Sequence, residues 1–73
     1  MNQDKLREQI KIIKYYIGLN NKEIAEWLEI KNERSVSNFL HGDFNLSEEK
    51  RRKADELVLQ YKDEALERIY TIF

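Results

Sequence analysis

Leu6, Ile10, Ile13 and Ile17 recur at spacings of four, three and four residues, one stripe of a helix from about Asp4 to Ile17. Arg7, Lys11 and Lys14 fall together on a different, polar face, and Gly18 stands where a helix end favours a left-handed residue. A second helix starts at Asn20, whose side chain can accept from free first-turn amides while Glu23 reaches back to complete a capping box. Ile24, Ala25 and Leu28 form its inner face, with Trp27 beside them. The polar stretch Glu29-Ile30-Lys31-Asn32 then interrupts the pattern. Asn32 is a cap for a third helix, and Glu33 complements the positive end of its dipole. Val36, Phe39 and Leu40 point inward there, leaving Arg34, Ser35, Ser37, Asn38 and His41 outward or lateral, and Gly42 ends the helix. Ser47 caps the last segment, where Ala54, Leu57, Val58, Tyr61, Ala65, Leu66 and Ile69 continue at helical spacing. That pattern predicts either one long helix or two with a slight bend near Gln60. No stretch alternates like a strand. The prediction is an all-α single domain over residues 1–73, with four to five helices and a long C-terminal one.

Small size sharpens the question of stability. A domain this short buries only about 60% of the surface its unfolded chain exposes. It has no cysteine and one histidine, His41, so disulfides and metal staples are not expected and self-association remains open. No cofactor is expected. His41 lacks the converging partners that metal binding or nucleophilic catalysis needs, and the carboxylates lie along amphipathic helices, so an enzyme is not expected. Neither a membrane span nor a signal-peptide pattern is visible, and the expectation is a soluble cytoplasmic protein with no small-molecule substrate.

The formal net charge is −1, but it is unevenly spread. Residues 1–30 balance, residues 31–53 carry a surplus of +2, and residues 54–73 carry −3. An acidic tail suits a surface that points away from a polyanion or one that meets a basic protein.

Two short helices with a polar outer face on the second are the parts of a helix-turn-helix. The segment Leu19-Asn20-Asn21-Lys22-Glu23-Ile24-Ala25-Glu26-Trp27-Leu28 resembles the opening of the phage lambda-repressor/Cro helix-turn-helix, commonly Leu-Thr-Gln-x-Glu-Leu-Ala-x-x-Leu. Val36-Ser37-Asn38-Phe39-Leu40-His41-Gly42 is similar to that family's recognition-helix ending, Ile-Ser-x-Ile-Glu-x-Gly. The match covers residues 19–42, with the helix-turn-helix at about 20–42. It departs from the pattern in two places: Glu29 stands where the turn usually has glycine, and one extra residue lies between Ile30 and Val36.

The resemblance implies a small transcriptional regulator of a phage genetic switch, working in a bacterial host cell on double-stranded operator DNA. Base reading, or partner recognition, would fall to Arg34, Ser35 and Asn38. Asn21, Lys22, Lys31, Ser37 and His41 would position phosphates, with Lys50, Arg51 and Arg52 assisting from the next helix. Size and style are also similar to modulators of repression, antirepressors that bind a phage repressor's DNA-binding domain and block its operator contacts. The apolar end formed by Tyr61, Ala65, Leu66, Ile69, Tyr70 and Phe73 is a candidate association surface. Folding back over the core, forming a homodimer and docking on another regulator all remain open for it.

Overall fold

A computed structural model describes the backbone of residues 3–72 and the side chains of residues 3–70; Phe73 lies outside the described residues. The described backbone is all-helical. Helix α1 spans Asp4–Ile13 and runs on into a single π-helical turn, Lys14–Gly18. Helix α2 spans Asn21–Leu28, α3 Glu33–His41 and α4 Glu48–Ile72. None of them is long and apolar enough to cross a membrane.

The sequence pattern places the first helix as continuous α to Ile17, but its last turn widens into the π form. Tyr16 and Ile17 pack partly buried against the core from this wider turn. The Tyr16 carbonyl accepts from Arg68 Nη1 of α4 at 3.1 Å, so this backbone acceptor near the helix end has a partner. Gly18 then takes φ +86°, a backbone region open to glycine at little cost. The C-terminal segment is one unbroken helix through Gln60, not two.

Caps define the two short helices. Asn20 Oδ1 accepts from the Glu23 amide at 2.8 Å and Glu23 Oε1 accepts from the Asn20 amide at 3.3 Å, closing the capping box. Asn32 Oδ1 accepts from the Ser35 amide at 2.9 Å, and Gly42 ends α3 at φ +92°. Between them, Glu29 adopts the left-handed conformation at φ 57°, the one non-glycine to do so among the described residues. The residue that departs from the helix-turn-helix consensus therefore takes a backbone shape that glycine enters more easily.

Two lysines of α4 hold that turn. Lys50 Nζ donates to the Glu29 carbonyl at 2.9 Å, and Lys53 Nζ lies 2.8 Å from Glu29 Oε2. We expect Glu29→Gly to raise the Tm by a few degrees, because relief of backbone strain outweighs a solvent-screened ion pair. Glu29→Ala keeps the strain, loses the pair and lowers the Tm; thermal melts followed by circular dichroism separate the two.

Ile10, Ile24, Leu28, Val36, Phe39, Ala54 and Leu57 are essentially inaccessible and form the centre of the core. Each helix contributes to it at the positions its apolar spacing predicts. Trp27 is the exception. It stands at the core's edge, over a third exposed, with its ring 6.0 Å from Tyr61 and its indole N–H donating to the Lys53 carbonyl at 3.0 Å. An indole needs a polar partner when it is partly covered, and the end of this position's reach supplies one.

Arg7 is a larger correction. Its spacing puts it on a polar face with Lys11 and Lys14, yet it is only 6% exposed. Nε donates to the Phe39 carbonyl at 2.7 Å, and Nη2 donates to the Phe44 carbonyl at 2.7 Å and to Asn45 Oδ1 at 2.8 Å. Nη1 pairs with Asp4 at 2.8 Å, and the guanidinium stacks 4.9 Å from the Phe39 ring centroid. Beside it, Gln3 exchanges two hydrogen bonds with the Leu46 backbone, at 3.1 and 2.8 Å. The start of the chain thus fastens the end of α3 and the loop that follows.

Candidate functional site

The outer face of α3 is fixed by what lies beneath it. Val36, Phe39 and Leu40 are buried, and Arg34, Asn38 and His41, at spacings of four and three, occupy the opposite side. Arg34 and His41 are exposed, while Ser35, Ser37 and Asn38 are half-buried. Arg34 makes no ion pair with any described residue, so its fork of donors is available to solvent or a partner. Ser35 differs: its hydroxyl donates to Asn32 Oδ1 at 3.1 Å, adding to the helix cap and leaving it as an acceptor outward.

The five residues expected at phosphates divide into two groups. Asn21, Ser37 and His41 line one cleft of about 450 Å³, formed where the π turn, the start of α2 and the end of α3 converge. Lys11, Lys14 and Tyr15 form its other wall. Two of those three belong to the polar face that the spacing of the first helix marks out, and the packing of α1 beside α3 makes them neighbours of the cleft. Asn21 Oδ1 is buried without a hydrogen-bond partner there. Lys22 and Lys31 line a separate depression of about 300 Å³ between α2 and the turn before α3. Both lysines are exposed.

The basic run on α4 is largely engaged within the chain. Arg51 bridges Glu48 at 2.8 Å and Asp55, and Arg52 lies 3.5 Å from Glu48. The hydrogen bond and charge of Arg51 hold the Glu48 carboxyl below its ordinary range, and the same pair raises Arg51. Lys53 acts likewise on Glu29, first by hydrogen bond and then by charge. Lys50 is bound to the Glu29 carbonyl. Arg51, Arg52 and Lys53 thus lie beside carboxylates that offset part of their charge, while Lys50, bound to a neutral carbonyl, keeps its own.

The candidate association surface also divides. Ala65 is 3% exposed and belongs to the core, so it is removed from that surface; its small side chain lets α4 lie close to α1. Tyr61 is half-buried against the core. Leu66, 48% exposed, and Tyr70, 75% exposed, remain on the outside, with Ile69 half-covered between the two environments. The same helix folds one face back and leaves another open.

Among the described residues, no group of three or more His, Cys, Asp or Glu side chains is placed to hold a metal ion. No protein-family model, curated protein or solved structure matches this chain.

Proposed function

We propose that this chain is a small helix-turn-helix regulator of the lambda-repressor/Cro type, in which α3 enters the major groove of operator DNA. The observation that carries the reading is the pairing of a locked inner face, Val36, Phe39 and Leu40, with an unpaired, exposed Arg34 on the outer one. A recognition helix needs both, because base edges are read only by side chains held at a fixed angle to the duplex. Arg34 offers guanine two donors, and Asn38 matches the donor and acceptor of adenine. Asn21, Ser37 and His41 approach phosphate on one side of α3, and Lys22 and Lys31 on the other. The simplest assembly is a dimer on a two-fold operator with half-sites about one helical turn apart.

Selection of bound duplexes from a random library, at low and moderate salt, tests this. One preferred sequence is expected, with affinity falling steeply as salt rises. Arg34→Ala relaxes the preference at one base position by about 1–3 kcal/mol, roughly fivefold to 150-fold. Lys22→Ala weakens all sequences alike and lowers the salt slope by about one. Binding without any sequence preference overturns the operator-reading mechanism.

A second reading rests on the α4 cations. With Arg51, Arg52 and Lys53 paired with carboxylates and a net charge of −1, the chain brings a modest positive field to DNA. An antirepressor needs no such field, since it meets the basic DNA-binding domain of a phage repressor and blocks the operator contacts there. Co-expression with a phage repressor gives a stoichiometric complex under this reading and separate proteins under the first.

A further inference from the structure

The cleft of about 450 Å³ between the π turn, α2 and α3 holds two cations that α3 does not supply, Lys11 of α1 and Lys14 of the turn. No carboxylate is among its lining residues. The depression before α3 differs, because Glu26 and Glu33 line it together with Lys22 and Lys31. In a chain with 14 acidic and 13 basic residues, a wall with two lysines and no acid is a local concentration of positive charge. Lys14 is half-buried and in no ion pair with a described residue. Lys11 lies 3.2 Å from Glu8, an exposed pair that solvent screens and that yields to a stronger anion. Asn21 Oδ1 adds an unfilled polar position: it is buried and has no hydrogen-bond partner. With the amide turned over, its N–H donors occupy that place, and an anion satisfies them.

Position identifies the anion. Ser37 and His41 line the cleft from α3, and residues 34, 37, 38 and 41 share one face of that helix by their spacing. The cleft therefore borders the face that carries Arg34 and Asn38, with Lys11 and Lys14 on its other wall. A duplex whose major groove receives α3 brings a sugar–phosphate strand along each flank of the helix. We infer that Lys14 and Lys11 hold a backbone phosphate of that duplex in the cleft, an assignment that rests on the DNA reading above and deepens it. Ser37 and Asn21 complete the contact, since the oxygens of a phosphate diester accept from ammonium and neutral donors together. Asn21 and Ser37 are uncharged, so Lys11 and Lys14 add to this flank the counterion release that binds a polyanion.

The test measures full-chain binding to a random-sequence duplex, and to the one selected from the library, by fluorescence anisotropy across a salt series. Lys14→Gln and Lys11→Gln should each lower the salt slope by about one, and the double variant by about two, on both duplexes. Sequence preference should stay as it is. Lys11 is exposed, so Lys11→Gln repeats the test without risk to folding. Lys62→Gln removes the same charge from the groove between α1 and α4 and should leave the slope unchanged. An equal loss for Lys62→Gln would reduce the effect to net charge and overturn the inference. Polyglutamate that competes as well as unlabelled duplex, charge for charge, would overturn it too, since the cleft would then serve an acidic protein. Where Arg34→Ala relaxes the preference and both lysine variants keep the full slope, α3 reads DNA and the phosphate assignment alone falls. A slope lowered by the lysine variants without any sequence preference upholds the cleft and overturns operator reading. No binding to either duplex overturns both.

Discussion

Arg7→Met should lower stability by about 3 kcal/mol and the Tm by about 15 °C, although the substitution keeps most of the side-chain volume. The loss falls on the hydrogen bonds. The Phe39 carbonyl retains the Gly42 amide as a donor, but the Phe44 carbonyl and Asn45 Oδ1 lose the guanidinium that joins them. Hydrogen bonds to a charged donor contribute about 1.5–3 kcal/mol each, and part of this is recovered as water reaches the loop. A chain of this size has roughly 4–11 kcal/mol in all, so the loss is a quarter or more of the total. Arg7→Lys should recover only a minor part, because one ammonium cannot reach three acceptors in the geometry of a planar fork. Urea denaturation followed by circular dichroism measures both variants. A loss below 1 kcal/mol for Arg7→Met would mean that the loop after α3 is held by other contacts. In that case amide exchange at Phe44 and Leu46 would be unchanged as well.

Periodicity and caps are local, and they were legible. Leu6, Ile10 and Ile13 define α1, Asn20 with Glu23 starts α2, Asn32 starts α3, and the two glycines end their segments at positive φ. What escaped the pattern depends on residues distant in the chain. Arg7 looks like one more cation on a polar face until the loop at residues 44–46 folds over it, bringing acceptors more than thirty positions away. Its only local hint is Asp4, three residues earlier, which is also an ordinary surface pairing. Likewise the sequence offers Lys50, Arg51 and Arg52 to phosphates because it shows only the carboxylates nearby along the chain, and Lys50 and Lys53 reach across to another element. Their partner there is Glu29. Ala65 was grouped with Leu66 by hydropathy, yet adjacent helix positions face about 100° apart, and only packing against α1 decides which of them is covered. The outer face of α3 was visible for the opposite reason: its inner face is a short apolar stripe whose complement is polar by geometry alone. The division of Asn21, Ser37 and His41 from Lys22 and Lys31 was not, since it depends on the π turn and on how α2 meets α3.

Phe39→Ala should cost about 3–5 kcal/mol, a large share of the stability a chain of this size has. Phe39 is 1% exposed and belongs to three arrangements at once. Its ring fills the core with Val36 and Leu28, carries the Arg7 guanidinium on one face and lies 6.2 Å from the Phe44 ring. Its carbonyl accepts from Arg7. Truncation therefore removes a large apolar volume and frees the charged group packed on it, and α3 loses the contact that sets the direction of Arg34 and Asn38. Phe39→Leu distinguishes the volume from the ring. It should retain the fold at a cost of about 1–2 kcal/mol, the difference being the aromatic contacts with Arg7 and Phe44. A double-mutant cycle with Arg7→Met then isolates the stacking: coupling of about 1 kcal/mol is expected, and strict additivity would show that the guanidinium draws nothing from the ring. If Phe39→Leu leaves α3 helical but abolishes recognition by that face, the ring sets the pose of α3 rather than its formation. Retention of both would place the burden of fixing α3 on Val36 and Leu40.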